Sequence, residues 1–219
     1  MRNIQQHIHC IEQQINRRDV LILAVSKTQS PEHIRQAFEA GLHDFAENYL
    51  QEAIGKINVL HDLTCTWHYI GLIQSKKCKY ISKYFQWVHT IDRLEIARVL
   101  NEANIKHQKT LNICIQINLL NEPQKGGIQA DAVATLLQQI KSLQTLHIRG
   151  LMTILPNGLS SEQQFLAYSQ LAELKAELNH QLGLNMDTLS MGMSGDYKEA
   201  IKAGSTIIRL GTAIFGERH

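Results

Sequence analysis

No apolar run in the chain approaches the roughly 20 residues that span a bilayer. The opening stretch, Met1 to Arg18, is polar and holds nothing like the apolar core of a secretion signal. These two lacks predict a cytoplasmic protein with no membrane partner. Charge of one sign is scarce as well. The 22 Lys+Arg set against 20 Asp+Glu leave a net charge of +2, too small an excess for a protein that neutralises many phosphates of a nucleic acid. Charged residues amount to 19% and hydrophobic ones to 44%, which excludes a solvated disordered chain. At this apolar content, 219 residues can bury one good core and are short for two ordinary domains. Residues 1–219 are therefore read as one domain.

Several motifs are missing too. The four cysteines, Cys10, Cys65, Cys78 and Cys114, form no CxxC pair, so neither a zinc ribbon nor a thioredoxin-type redox site is expected. Free thiols are expected instead. Eleven histidines invite a metal reading, but HExxH is absent. His7 and His9, two apart, would diverge on a helix. The site is thus expected to hold no metal. No GxGxxG follows the first strand, which leaves a Rossmann dinucleotide site without support. Prolines are only three, Pro31, Pro123 and Pro156, and each falls in a loop or at a helix start.

What is present is an alternation of two textures: short β-branched apolar runs, and longer segments with apolar residues three or four apart. The short runs predict eight strands, at 20–25, 44–46, 67–70, 87–91, 113–117, 150–154, 188–191 and 207–210. Helical patterns fill the intervals, after a first helix near 3–16. The clearest is 161–182, where Phe165, Tyr168, Leu171, Leu174, Leu178 and Leu182 form one stripe. Ser161 with Gln164, and Asp92 with Glu95, read as capping boxes, and Ser30-Pro31 as an N-cap with proline in the first turn. Strand–helix alternation implies a parallel sheet with right-handed crossovers. Eight such units, at a length close to the lower bound of about 200 residues, predict a single (β/α)8 TIM barrel with an extra N-terminal helix.

A barrel of this kind carries its site at the carboxyl ends of the strands. After the first strand stands Lys27, either a solvated rim charge or a functional amine. Burial beside other cations would free its amine for Schiff-base chemistry. After strands seven and eight come Ser194-Gly195 and Gly211-Thr212. These are either tight turns or, taken together, a phosphate cradle of hydroxyls and closely approaching backbone amides, aided by a helix end. An amine and a phosphate cradle suit a phosphorylated aldehyde held as an imine. Arg209, just before the last loop, either ion-pairs within the barrel or faces a ligand. An arginine against a pyridine nitrogen would keep that nitrogen unprotonated and weaken the ring as an electron sink.

These residues lie in longer blocks: 23–28 (LAVSKT), 47–52 (ENYLQE), 67–71 (WHYIG), Gln74-Ser75, 150–153 (GLMT), 189–196 (LSMGMSGD) and 208–216 (IRLGTAIFG). On these blocks the chain resembles the YggS/PROSC family of pyridoxal-phosphate homeostasis proteins, over nearly its whole length. The resemblance implies a barrel like the N-terminal domain of alanine racemase. It implies pyridoxal 5'-phosphate (PLP) as an internal aldimine on Lys27, with Asn48 beside the cofactor. Ser194, Gly195, Gly211 and Thr212 would hold the phosphate, and Arg209 would face the pyridine nitrogen. Family members are understood to bind and supply the cofactor without established turnover. Departures from the family pattern fall on the rim, at Ala46, Leu72-Ile73, Lys76 and Gly126. Lys76, Lys77 and Lys79 are read as a solvated helix face.

Three functions compete. The favoured one is a non-catalytic PLP carrier for apo PLP-dependent enzymes, acting as monomer or homodimer. The second is a PLP-dependent amino-acid racemase or related enzyme. Alanine racemase draws a catalytic tyrosine from a further C-terminal domain, for which a chain stopping at His219 is expected to have no counterpart. In the third, Lys27 forms a Schiff base directly with a sugar phosphate, as in class I aldolases.

Overall fold

The computed structural model describes residues 3–15, 17, 19–122 and 126–217. The expectations placed on Asn16 and Pro123 lie outside the described residues. In chain order the elements are α1 (Ile4–Ile15), β1 (Leu21–Val25), α2 (Pro31–Glu39), β2 (Asp44–Glu47), α3 (Leu50–Val59) and β3 (Thr66–Tyr69). Next come α4 (Cys78–Tyr84), β4 (Trp87–Ile91), α5 (Leu94–His107), β5 (Leu111–Ile117), α6 (Val133–Ile140) and β6 (Leu146–Thr153). The chain closes with α7 (Ser161–Leu182), β7 (Thr188–Met193), α8 (Tyr197–Lys202), β8 (Ile207–Leu210) and α9 (Thr212–Phe215).

The strands pair in sequence order, all parallel, and β8 returns to β1 through Leu21↔Ile207 to Ala24↔Leu210, closing the barrel. Successive residues of a strand point to opposite faces. Ala24, Phe45, Val88, Ile113 and Leu151 therefore belong to the large apolar layer shared with the helices. Leu23, Val25, Ala46 and Ile207 form a separate small cluster inside the barrel. Helix α1 buries Ile4, Ile8, Ile11 and Ile15, one stripe at four- and three-residue steps, and packs on α2 and α9. Cys65, Cys78 and Cys114 are free thiols. Burial raises Cys65 and Cys78 to about 11 and Cys114 to about 12, so none of these three is a ready nucleophile at neutral pH.

Some local expectations change. Ser30 does cap α2, its hydroxyl accepting from the His33 amide at 3.2 Å with Pro31 in the first turn. The box on α7 sits one residue earlier, on Ser160 and Gln163. The run Ser-Ser-Glu-Gln-Gln offers two registers, and Ser160 is the serine in extended backbone, at φ −67° and ψ 160°. Asp92 and Glu95 form no box. The N-cap of α5 is Arg93, and the two carboxylates are drawn away, Asp92 to Arg93 and Glu95 to the Ser75 hydroxyl. On α7 Phe165 is exposed, and the buried stripe is Ala167, Tyr168, Leu171 and Leu178.

Strands β5 and β6 start earlier than the apolar runs suggested. Their register slips between Ile113↔Ile148 and Cys114↔Gly150, leaving Arg149 as the extra residue. Beyond the slip β6 and β7 press together. A Cβ on Gly150 would lie 1.8 Å from the Thr188 carbonyl oxygen, which no side-chain adjustment relieves. Gly150→Ala is expected to cost at least about 3 kcal/mol in urea unfolding. A variant within about 1 kcal/mol of wild type would show that the barrel does not depend on this approach.

Candidate functional site

The sequence-predicted residues converge. Lys27 stands two residues past β1, Asn48 follows β2, Ser194 and Gly195 follow β7, Arg209 lies on β8, and Gly211 and Thr212 follow it. All seven line one cavity of about 330 Å³ at the carboxyl ends of the strands, whose apolar wall is Val25, Ile70, Met152, Ile154 and Met193. Sequence reasoning did not single out that wall. Its signal was present, since strand ends of a barrel border the mouth.

Lys27 sits on a turn that the structure clamps from below. Lys56, buried on α3, donates to the Ser26 carbonyl at 2.6 Å and to Glu47 Oε1 at 2.7 Å, and it also pairs with Glu52. The Ser26 hydroxyl donates to the same Glu47 oxygen at 2.7 Å. Thr28 takes the left-handed conformation at φ 66°, unfavourable for a β-branched residue. Its amide is held by Glu52 Oε1 at 2.6 Å. Burial pushes the Glu47 carboxyl above its usual range, against the pull of Lys56. This clamp was not recognised in the sequence. Only the four-residue step from Glu52 to Lys56 on a helix hints at it.

The loop after β7 is held by Asp196. One carboxylate oxygen accepts from the Met193 amide at 2.6 Å and the other from the Tyr168 hydroxyl at 2.8 Å. Burial and the adjacent Asp196 charge keep that phenol protonated, far above its ordinary pKa. Gly192 takes φ +95°, and a Cβ added there would lie 2.6 Å from the Ala200 Cβ. Ser194 Oγ accepts from the Ala213 amide at 3.3 Å and retains its own hydrogen to donate. The two hydroxyl–glycine loops are thus tied to each other. The helices they lead into are short, six and four residues, so for an anion here hydroxyls and individual amides would count for more than any macrodipole.

Arg209 is buried. Its Nη1 donates to the Ser190 carbonyl at 2.6 Å and the Ser190 hydroxyl at 2.9 Å, and Nη2 donates to the Thr153 carbonyl at 2.8 Å. The ion-paired alternative does not hold: its hydrogen-bond partners among the described residues are carbonyls and a hydroxyl. Burial pulls the guanidinium below its ordinary value, and Tyr168 and Asp196 nearby partly restore it. It remains a cation and lines the cavity.

Lys76 and Lys79 are exposed, in keeping with a solvated face, and Lys77 is half-buried. With Tyr49, Leu72 and Tyr80 they border a groove that meets the cavity at Asn48. Among the described residues no cluster of three or more His, Cys, Asp or Glu could hold a metal ion. Nor is any described helix long and apolar enough to cross a membrane.

A closed parallel barrel that gathers a lysine, an arginine and two hydroxyl–glycine loops around one small cavity is a (β/α)8 barrel protein with a candidate ligand site at the strand carboxyl ends. The comparisons narrow that class. The family described as alanine racemase, N-terminal domain, matches residues 1–219. The pyridoxal phosphate homeostasis protein of Vibrio cholerae is 45% identical over 231 residues, covering 100% of this chain and 98% of that one. The protein of the same name from Pseudomonas aeruginosa is 46% identical over 197 residues, covering 90% and 84%. The solved structure of PipY from Synechococcus elongatus with PLP bound matches at a TM-score of 0.92 and 34% identity, covering 98% of this chain and 100% of that one. Alanine racemase of Clostridium difficile matches at a TM-score of 0.83 with 13% identity, a likeness of fold. The chain belongs to the alanine racemase N-terminal-domain family, among its pyridoxal phosphate homeostasis proteins.

Proposed function

We propose that the chain binds pyridoxal 5'-phosphate in this cavity and acts in PLP homeostasis, supplying the cofactor to other proteins without turnover of its own. Lys27 Nζ holds the cofactor aldehyde as a Schiff base. Ser194, Gly195, Gly211 and Thr212 take the phosphate, Arg209 faces the pyridine nitrogen, and Asn48 lies beside the ring. The relatives' names and the PLP-bound PipY structure support the cofactor.

The cavity fits such a guest. Asn48 Oδ1 is buried with no hydrogen-bond partner among the described residues, which leaves an acceptor for a ligand donor. A Cβ on Gly195 would stand in open space, so no protein neighbour requires a glycine there, whereas a ligand approaching the backbone would. The volume, about 330 Å³, falls at the small end of small-molecule sites.

The lining carries the non-catalytic reading. Stereochemical inversion needs a second proton-exchanging group opposite the lysine. Among the described residues lining the cavity, Lys27 and Arg209 are the only ionisable side chains, and an arginine scarcely releases a proton. Two measurements test the reading. PLP-loaded chain mixed with an apo PLP-dependent enzyme is expected to restore that enzyme's activity. With amino acids alone it is expected to show no Lys27-dependent α-proton exchange. Rapid exchange that Lys27→Ala abolishes would establish an enzyme instead.

A further inference from the structure

The barrel interior is divided. Its β1, β2 and β8 side is apolar, with Leu23, Val25, Ala46 and Ile207 in one cluster. The remainder carries an unbroken row of hydrogen-bonded polar side chains. Arg209 Nη1 donates to Ser190 Oγ at 2.9 Å, and that oxygen lies 2.8 Å from His89 Nδ1. His89 Nε2 lies 2.9 Å from His68 Nδ1, and His68 Nε2 lies 3.0 Å from Asp44 Oδ1. Ser190, His89 and His68 are fully buried. The row starts at Asp44, the first residue of β2, at the end of the barrel opposite the cavity. It passes through β3 and β4, crosses to β7 and ends at the cavity on β8.

The chemistry of its two ends sets the direction of every bond. A carboxylate only accepts and a guanidinium only donates. Asp44 therefore takes the proton of His68 Nε2. Neutral His68 is then bare at Nδ1 and accepts from His89 Nε2–H. Neutral His89 is in turn bare at Nδ1 and accepts from the Ser190 hydroxyl, whose oxygen accepts from Arg209. Burial favours the neutral form of both rings. Trp87 fixes the plane of His68 by stacking on it, at 5.4 Å between centroids and 9° between planes.

We infer that Asp44, His68, His89 and Ser190 are positioning residues for Arg209, which hold its guanidinium in place at the cavity through one directed row of hydrogen bonds anchored on the acceptor oxygen of Asp44. A barrel needs only volume in its interior, commonly supplied by branched apolar residues. Two buried histidines in a single polarity exceed that need, and their row ends on the one buried cation of the site. The bearing on PLP rests on the proposed function, but the row itself does not.

The test uses the full chain without cofactor, with nitrogen-15 NMR of the histidine rings and of the Arg209 guanidinium. In wild type both buried rings are expected as neutral Nε2–H tautomers. Asp44→Asn keeps an acceptor oxygen and is expected to preserve the pattern and the Arg209 signal. Asp44→Leu removes the acceptor, and Ser190→Ala cuts the row beside Arg209. Both are expected to shift the Arg209 signal and to weaken PLP binding about tenfold, with Asp44→Asn close to wild type. An Nδ1–H tautomer or an imidazolium at His68 or His89 would overturn the inference. So would an Arg209 signal that is identical in wild type, Asp44→Leu and Ser190→Ala. A wild-type chain that binds no PLP would sink the cofactor reading alone, and the Arg209 signal would still decide the row.

Discussion

Lys27→Ala is expected to abolish the borohydride-sensitive absorbance of the PLP-loaded chain. Imine formation joins the lysine nitrogen to the aldehyde carbon and releases water, so it needs a primary amine at the aldehyde. Among the described residues, Lys27 is the only lysine lining the cavity. Alanine removes the covalent bond and leaves the Ser194 and Thr212 hydroxyls, the Gly195 and Gly211 backbone and the Arg209 cation in place. Weak residual binding without imine absorbance is therefore expected, read by equilibrium dialysis beside the spectrum. Undiminished imine absorbance in the variant would move the covalent site to another lysine.

Lys56→Met is expected to destabilise the chain by about 3–5 kcal/mol, because it strips a buried carboxylate of its cation. Lys56 and Glu47 are 5% and 0% exposed, and the ammonium also fixes the Ser26 carbonyl beside Lys27. Surface pairs such as Arg17–Asp19 lie in solvent and contribute about 0–1 kcal/mol. The loss should depend on pH, with a definite sign. Glu47 already has a raised folded-state pKa, and without Lys56 it rises further. The folded state then binds the proton that the unfolded state releases, so stability falls as pH rises from the unfolded value through the folded one. The deficit of Lys56→Met should shrink toward acid and grow toward neutral pH in urea titrations. A deficit below about 1 kcal/mol at neutral pH would show that the clamp contributes little to the fold.

The legible part of this protein was what local pattern encodes. β-branched runs such as 20–25 and 207–210 marked the strands, and the strand ends then pointed to Lys27, Arg209 and the two glycine loops. Local pattern could not choose between Ser160 and Ser161 as a cap, because both registers satisfy the motif. It overrated Asp92 and Glu95, whose carboxylates found Arg93 and Ser75 instead. The clamp under Lys27 and the row beneath Arg209 were invisible for a different reason. Ser190 lies 101 residues from His89 and 146 from Asp44, and only barrel closure brings such groups together. Of the histidines, unpromising as metal ligands by spacing, His68 and His89 proved to be interior polar groups.

The most direct measurement is peptide mass mapping of the chain after loading with PLP and reduction with borohydride. A pyridoxyl group on Lys27, and on no other lysine at stoichiometric loading, is the expected result. Stoichiometric label on another lysine, or a chain that takes up no reducible PLP, would contradict the account.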